Sequence, residues 1–284
     1  MIEVEQLRFT YPGRREETLK GMDFQIGTGE IFGFLGPSGA GKSTTQKILI
    51  GLLKQYEGSV RVKGRQLRNV RSDYFEKIGV AFEFPNFYSR FTALENLKFF
   101  RSLFSGETEE PERLLEMVNL SKFANMKVGE YSKGMKMRLN FCRALLNKPE
   151  LLFLDEPTSG LDPVHAKMMK ELIQQKQAEG TTILITTHQM HTADEICDRV
   201  AFIVDGEIRL IDSPRELRLR NGKKQIRVEY KEGEKRATME FDLASIGKNH
   251  DFISVLQGKQ IETIHTLEAT LEDIFIEVTG RRLA

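Results

Sequence analysis

Nine consecutive residues, Gly36 to Thr44, read GPSGAGKST and put Gly36, Gly41, Lys42 and Ser43 at every fixed position of the pattern G-x-x-x-x-G-K-[ST]. Residues of these types at this spacing cradle phosphate. Glycines let the backbone wrap closely around an anionic chain, so that consecutive N–H groups and the positive end of the following helix point at its oxygens. Lys42 then reaches the β and γ phosphates of a nucleoside triphosphate, and the Ser43 hydroxyl is a ligand for Mg²⁺. The candidate nucleotide-binding residues are Gly36, Pro37, Ser38, Gly39, Ala40, Gly41, Lys42, Ser43 and Thr44. The pattern needs a strand before it and a helix after it. Ile31, Phe32, Phe34 and Leu35 supply a buried strand, and a helix is expected from Ser43 onward.

A second reactive pair lies in the stretch LLFLDEPTSGLD, Leu151 to Asp162. Four apolar residues make a buried strand that ends on adjacent carboxylates, Asp155 and Glu156. Where the chain leaves the sheet, both side chains can reach one cavity in different roles. Asp155 suits holding Mg²⁺ through its water shell. Glu156 suits orienting and deprotonating the water that attacks the γ phosphate. The strand carrying them is expected beside the phosphate-loop strand.

With these two pieces the chain resembles the ATP-binding cassette (ABC) ATPases over about its first 213 residues. The resemblance implies roles for further residues. Tyr11, in FTYPG, occupies the position where the family stacks an aromatic ring on adenine. YSKGM, Tyr131 to Met135, sits where the family carries its LSGGQ signature, with Ser132 as an N-cap before an apolar-periodic helix that includes Leu139, Cys142, Leu145 and Leu146. In the family this helix end, here Ser132, Lys133 and Gly134, grips the γ phosphate of ATP bound to the opposite subunit. Ser159, Gly160, Leu161 and Asp162 resemble the subunit-contacting D-loop. His188, after the strand TTILITT, stands at the switch histidine that contacts the γ phosphate. Variant signatures of the YSKGM kind resemble those of export-type cassettes for drugs, antibiotics and cell-surface polymers.

The chain also departs from the family. Its Q-loop position, in IGVAFEFP, carries Glu83 instead of glutamine, and no glutamine occurs between Gln66 and Gln174. Lys133 and Met135 replace the first glycine and the glutamine of the signature. A carboxylate near a triphosphate is repelled unless Mg²⁺ or a cation offsets it, which makes Glu83 a further metal-adjacent candidate beside Ser43 and Asp155.

The 284 residues exceed a typical single domain, and 42 basic against 41 acidic residues give a formal charge of +1. That balance argues against a nucleic-acid coat. Cys142 and Cys197 make no metal spacing, are placed in helices, and read as reduced and structural, implying the cytosol. MIEVEQLRFT alternates like a strand and is no secretion signal, and no apolar stretch approaches the roughly 20 residues of a membrane span. The expected location is therefore cytoplasmic, peripheral on the inner membrane face through a separate transmembrane permease subunit.

Strands are expected at Ile2 to Thr10, Gly21 to Ile26, Ile31 to Leu35, Ser59 to Val62, Ile78 to Phe82, Leu151 to Leu154 and Thr181 to Thr187, then a hairpin from Val200 to Leu210 turning at Asp205 and Gly206. The expected fold is α/β: a P-loop NTPase of ABC-ATPase type, with a RecA-like core, an antiparallel β subdomain and an inserted helical subdomain, plus a small C-terminal α+β appendage. In numbers, this is an ATPase domain 1–213 (core 1–85 and 148–213, helical subdomain 86–147) and an accessory region 214–284. The inserted segment opens on a capping box at Thr92 and Glu95. Its aromatics, Phe84, Phe87, Tyr88, Phe91, Phe99, Phe100 and Phe104, read equally as core or as a groove for a helix of the membrane partner. From Pro214 to Arg236 nine basic residues face four acidic ones, a solvated face or an approach to anionic lipid. Strands follow at Gln225 to Tyr230, Arg236 to Phe241 and Gln260 to His265, with a helix at Ala244 to Leu256. The last helix places Leu271, Ile274, Phe275 and Val278 on one face.

Together these features predict the ATP-hydrolysing subunit of a membrane exporter, working with ATP and Mg²⁺ as a homodimer or with a paralogous cassette. A mechanical cassette that pulls on a membrane partner without moving substrate is the alternative. A soluble repair or translation ATPase needs a coiled-coil insertion or second cassette, and neither is in the chain.

Overall fold

The computed structural model describes residues 1–221, 225–233, 235–267 and 269–281, so Lys223, Lys224 and Glu234 of the basic run lie outside the described residues. In chain order the first unit contains β1 (Ile2–Phe9), β2 (Leu19–Ile26), β3 (Ile31–Leu35), α1 (Lys42–Leu49), β4 (Glu57–Val62), β5 (Arg65–Gln66), α2 (Ser72–Phe75), β6 (Ile78–Ala81) and α3 (Ala93–Arg101). It continues through α4 (Pro111–Met117), α5 (Lys133–Leu145), β7 (Leu151–Asp155), α6 (Pro163–Ala178), β8 (Thr182–Thr187), α7 (Met190–Ile196), β9 (Arg199–Val204) and β10 (Glu207–Asp212).

Two sheets form this unit, Met1–Ser213. One is antiparallel, in the order β2-β1-β4-β5; the other runs β10-β9-β3-β8-β7-β6 and is parallel except for β10. The strands β3, β7 and β8 are almost continuously buried, as strands covered on both faces must be. Their apolar side chains meet Ile2, Val4, Leu7 and Phe24 of the antiparallel sheet in one core. Phe24 stacks on Phe32 at 6.1 Å and meets Phe34 edge-on at 5.1 Å. Each such buried ring contributes about 1.5–3 kcal/mol through the water it leaves.

Strand order corrects one expectation. β8, not β7, lies beside the phosphate-loop strand β3, with β9 on its other side. The two sites still converge, because Leu35 pairs with Thr187 and Asp155 with Thr186, so all three strands end at one edge of the sheet. Three smaller differences are local. β2 begins at Leu19, since Gly21 at φ 87° sits inside it beside an irregular register between Val4 and Leu7. α1 begins at Lys42. Cys197 caps α7 instead of lying within it, although both cysteines are buried. The β9–β10 hairpin turns at Asp205 and Gly206, whose φ values of 51° and 81° are those of a type I′ turn.

The second unit, Pro214–Arg282, contains α8 (Pro214–Asn221), β11 (Gln225–Glu232), β12 (Lys235–Asp242), α9 (His250–Gly258), β13 (Gln260–Leu267) and α10 (Leu271–Thr279). Its sheet has the order β12-β11-β13, over a core of Val228, Tyr230, Phe241 and Val255. The expected helix at Ala244 to Leu256 is instead a 3₁₀ stretch, Leu243–Lys248, followed by α9. Asn249 causes the restart, accepting the Phe252 N–H at 3.0 Å as a new N-cap. In α10, Leu271, Ile274 and Phe275 are buried, whereas Val278 is exposed. No helix among the described residues is long and apolar enough to cross a membrane.

Candidate functional site

The loop between β3 and α1 is shaped by what surrounds it. A Cβ on Gly36 would lie 2.1 Å from the Ile203 carbonyl oxygen, so only glycine lets the loop leave the sheet there. Gly39 and Gly41 take φ of 80° and 110°, the left-handed region that glycine enters without strain. The Lys42 ammonium donates to the carbonyls of Gly36 at 2.5 Å and Pro37 at 3.0 Å, which folds the lysine across the loop. Burial lowers its pKa, while Glu156, Asp155 and Glu83 pull it back up.

At the end of β7 the two carboxylates point to different partners. Asp155 accepts from the Thr186 hydroxyl, and burial raises its pKa against that bond and the pull of Lys42. Glu156 is buried and sits at φ 49°, a left-handed geometry that is strained for a side chain of this size. Its Oε2 accepts from Thr187 Oγ1 at 2.9 Å, and its Oε1 meets the His188 N–H at 2.9 Å and His188 Nδ1 at 2.6 Å. The imidazole remains half-exposed at the mouth of the cleft.

These groups line a single cleft of about 430 Å³ with Tyr11, Ser38 to Thr44, Glu83 and Asp155. The Tyr11 ring is set edge-on against Phe9 at 4.8 Å, and its hydroxyl lies 3.2 Å from Thr44 Oγ1. The donor set fits Mg²⁺ and a triphosphate. Ser43 and Asp155 offer hard oxygens, and no group of three or more His, Cys, Asp or Glu among the described residues could hold a metal without help. An anion beside Lys42 and a cation beside Asp155 would each restore the charged form that burial disfavours.

Ser132, Lys133 and Gly134 stand apart from this cleft. Ser132 is exposed and caps α5 by accepting the Met135 N–H at 3.2 Å. The Lys133 side chain covers Gly160, and Gly134 packs against Gly160 and Leu161, so the two loops share one surface. Asp162 caps α6 by accepting from Val164 and His165, and its second oxygen meets His165 Nδ1 at 2.5 Å.

The sequence profile of the family described as ABC transporter matches residues 19–159, and one described as fluoroquinolone efflux ABC transporter C-terminal domain matches residues 224–268. A fluoroquinolones export ATP-binding protein of Mycobacterium tuberculosis is 53% identical over 100% of this chain and 94% of its own. The chain belongs to the ABC transporter ATP-binding proteins. A Nod factor export ATP-binding protein I of Burkholderia lata is 35% identical to the cassette over 93% of both chains. A dimeric ATP-binding cassette solved in a post-hydrolysis state with ADP and Pi matches with a TM-score of 0.68 at 28% identity, covering 75% of this chain and 98% of that one. The cassette is thus an ATP-binding, ATP-hydrolysing protein with the P-loop fold of its family.

Several residues of the cassette's cleft escape sequence reading. Thr186 and Thr187 orient the two carboxylates, and their signal was only a pair of threonines ending an apolar strand. Arg14 and Thr18 line the cleft from the loop after β1. Asn140 of α5, fully buried, donates to the Phe82 carbonyl at 2.7 Å and so holds the residue before Glu83. The aromatics of the inserted segment are largely surface: Phe84, Tyr88, Phe91 and Phe99 are exposed, and Tyr88 touches Phe91, Phe99 and Phe100.

Proposed function

We propose that the cassette energises a membrane exporter, working as a pair of copies that hold two ATP molecules between each phosphate loop and the other copy's Ser132, Lys133 and Gly134. Residues 1–213 act as the ATPase domain, with 86–147 as its helical subdomain, and 214–284 as an accessory region. A separate transmembrane permease docks on the exposed aromatics and keeps the cassette at the cytoplasmic face of the membrane. The export named for relatives that match 100% and 93% of this chain supports the direction of transport.

Within the cleft Tyr11 stacks on adenine, and the loop from Gly36 to Thr44 cradles the phosphates with Lys42. Ser43 and Asp155 would hold Mg²⁺, with Glu83 beside them; the ion supplies charge neutralisation on the phosphates. Glu156 takes a proton from the attacking water, the O–P bond to the γ phosphorus forms as the β–γ bridge breaks, and ADP leaves with phosphate. His188 orients Glu156 and contacts the γ phosphate. The observation that carries this assignment is the buried Glu156 held by His188 Nδ1 at 2.6 Å and by the Thr187 hydroxyl, in the same cleft as Lys42.

Replacing the carboxylate tests it. Glu156→Gln keeps ATP binding and lowers steady-state hydrolysis by roughly 10²- to 10⁴-fold, the usual contribution of a positioned general base. Near-normal turnover by the purified variant would remove Glu156 from this role.

A further inference from the structure

Among the described residues, Arg143 of the cassette has no counter-charge. Arg143, on α5, donates from Nη1 to the Asn86 carbonyl at 2.9 Å and from Nη2 to Asn140 Oδ1 at 2.6 Å. Its guanidinium lies over two rings, 5.0 Å from the centre of Phe87 and 5.2 Å from that of Phe100. Burial pushes its pKa down to about 10, and no carboxylate among the described residues raises it again. Neutral carbonyls and ring faces offset only part of the cost of drying a guanidinium, which a carboxylate would offset further.

The same rings continue outward. Phe100 meets Phe99 at 5.5 Å, Phe99 meets Tyr88 at 5.1 Å, and Tyr88 meets Phe91 at 5.3 Å, giving an unbroken apolar patch whose outer members face solvent. An apolar surface with a desolvated guanidinium at its margin matches a segment that is apolar and bears one acid. Asn86 and Asn140 hold the Arg143 guanidinium in place through one N–H on each terminal nitrogen, and the remaining N–H groups are donors of the kind that recognise a carboxylate.

We propose that Arg143 receives a carboxylate carried by the apolar segment that the membrane-spanning partner lays on this aromatic patch. The inference rests on the reading of the chain as a transporter subunit. It also gives docking a short route to the nucleotide. Arg143 holds Asn140, Asn140 holds the Phe82 carbonyl, and Glu83 follows in the ATP cleft. A carboxylate drawing on Arg143 therefore acts on the cleft through two hydrogen bonds. Arg143 is a docking residue in this scheme, and Asn140 a positioning residue.

The test uses the complex of the full chain with its membrane-spanning partner, purified in detergent. Arginine does not couple to carboxylates under carbodiimide, but a lysine amine in contact with one does. In Arg143→Lys the reagent is expected to join the introduced amine to an Asp or Glu of the partner, read by mass spectrometry of the linked peptide. Arg143→Gln is expected to weaken association by at least about 30-fold, the lower end for truncating one member of a buried charge pair. An intact Arg143→Lys complex with no link from that position, together with Arg143→Gln binding as tightly as the native chain, overturns the proposal while leaving the transporter reading standing. Failure of the native chain to assemble with any membrane-spanning protein overturns both.

Discussion

The nucleotide cleft and the aromatic patch of the helical segment are built on opposite principles. In the cleft nearly every group is fixed by backbone geometry or a short hydrogen bond: Gly36 against the Ile203 carbonyl, Lys42 on two loop carbonyls, Glu156 between Thr187 and His188. In the patch, the rings of Tyr88, Phe91 and Phe99 meet with much of their surface open to water, while buried Asn96 on the Tyr88 backbone and Arg143 with Asn140 tie it to the interior. Fixed polar groups pre-organise a reaction. An open apolar surface waits for another chain. Chemistry on this molecule is specified by spacing, and the proposed association by exposure.

Substitutions should break the two regions differently. The largest effect is expected at Gly36→Ala, where a methyl would be driven to 2.1 Å from a main-chain oxygen. The nucleotide-free protein should lose about 3 kcal/mol or more, as forced overpacking against rigid backbone does, in denaturant unfolding followed by circular dichroism. Gly39→Ala sharpens the contrast: nothing lies within 4 Å of the added Cβ, so only left-handed strain of about 1–2 kcal/mol remains.

An intermediate effect is expected at Glu83, which reaches the cleft from the segment that Asn140 holds. Glu83→Gln should need more Mg²⁺ for half-maximal ATPase while losing little turnover at saturating metal. Glu83→Ala should lose both metal affinity and stimulation by the partner. Three superimposable Mg²⁺ titrations would make Glu83 a bystander.

The smallest effect on the isolated protein is expected at Phe99→Ser. Its ring is exposed and gives up edge contacts to Tyr88 and Phe100, so stability should change by no more than about 1 kcal/mol, while stimulation of ATPase by the membrane partner falls. A large loss of stability with partner stimulation intact would mean the patch is core.

The same contrast explains what the sequence disclosed. GPSGAGKST and LLFLDEP carry their chemistry at fixed spacing, and the cleft brings them together with Tyr11 and His188. Strand order was not legible: alternation and apolar runs define strands, but only tertiary pairing decides that β8 separates β3 from β7. The Asn249 cap interrupted an apolar pattern that reads as one helix, because a side chain accepting a local N–H outweighs periodicity. The rings of the inserted segment have identical composition as core or as surface, so their exposure had to be seen. Asn140 and Arg143 carry no motif, and their meaning comes from contacts with residues more than fifty positions earlier in the chain.

In the proposed pair each ATP is shared between two copies, so Ser132 serves the neighbour's nucleotide and not its own. Lys42→Ala and Ser132→Arg each disable both composite sites of a homodimer. Mixed dimers of the two concentrate both lesions in one site and leave the other whole. The direct test is the ATPase rate of a mixture of the two inactive proteins, with subunit exchange demonstrated by co-purification through a tag on one of them. Shared sites predict that activity returns in the mixture; a mixture as inactive as its parents, despite proven exchange, would contradict them.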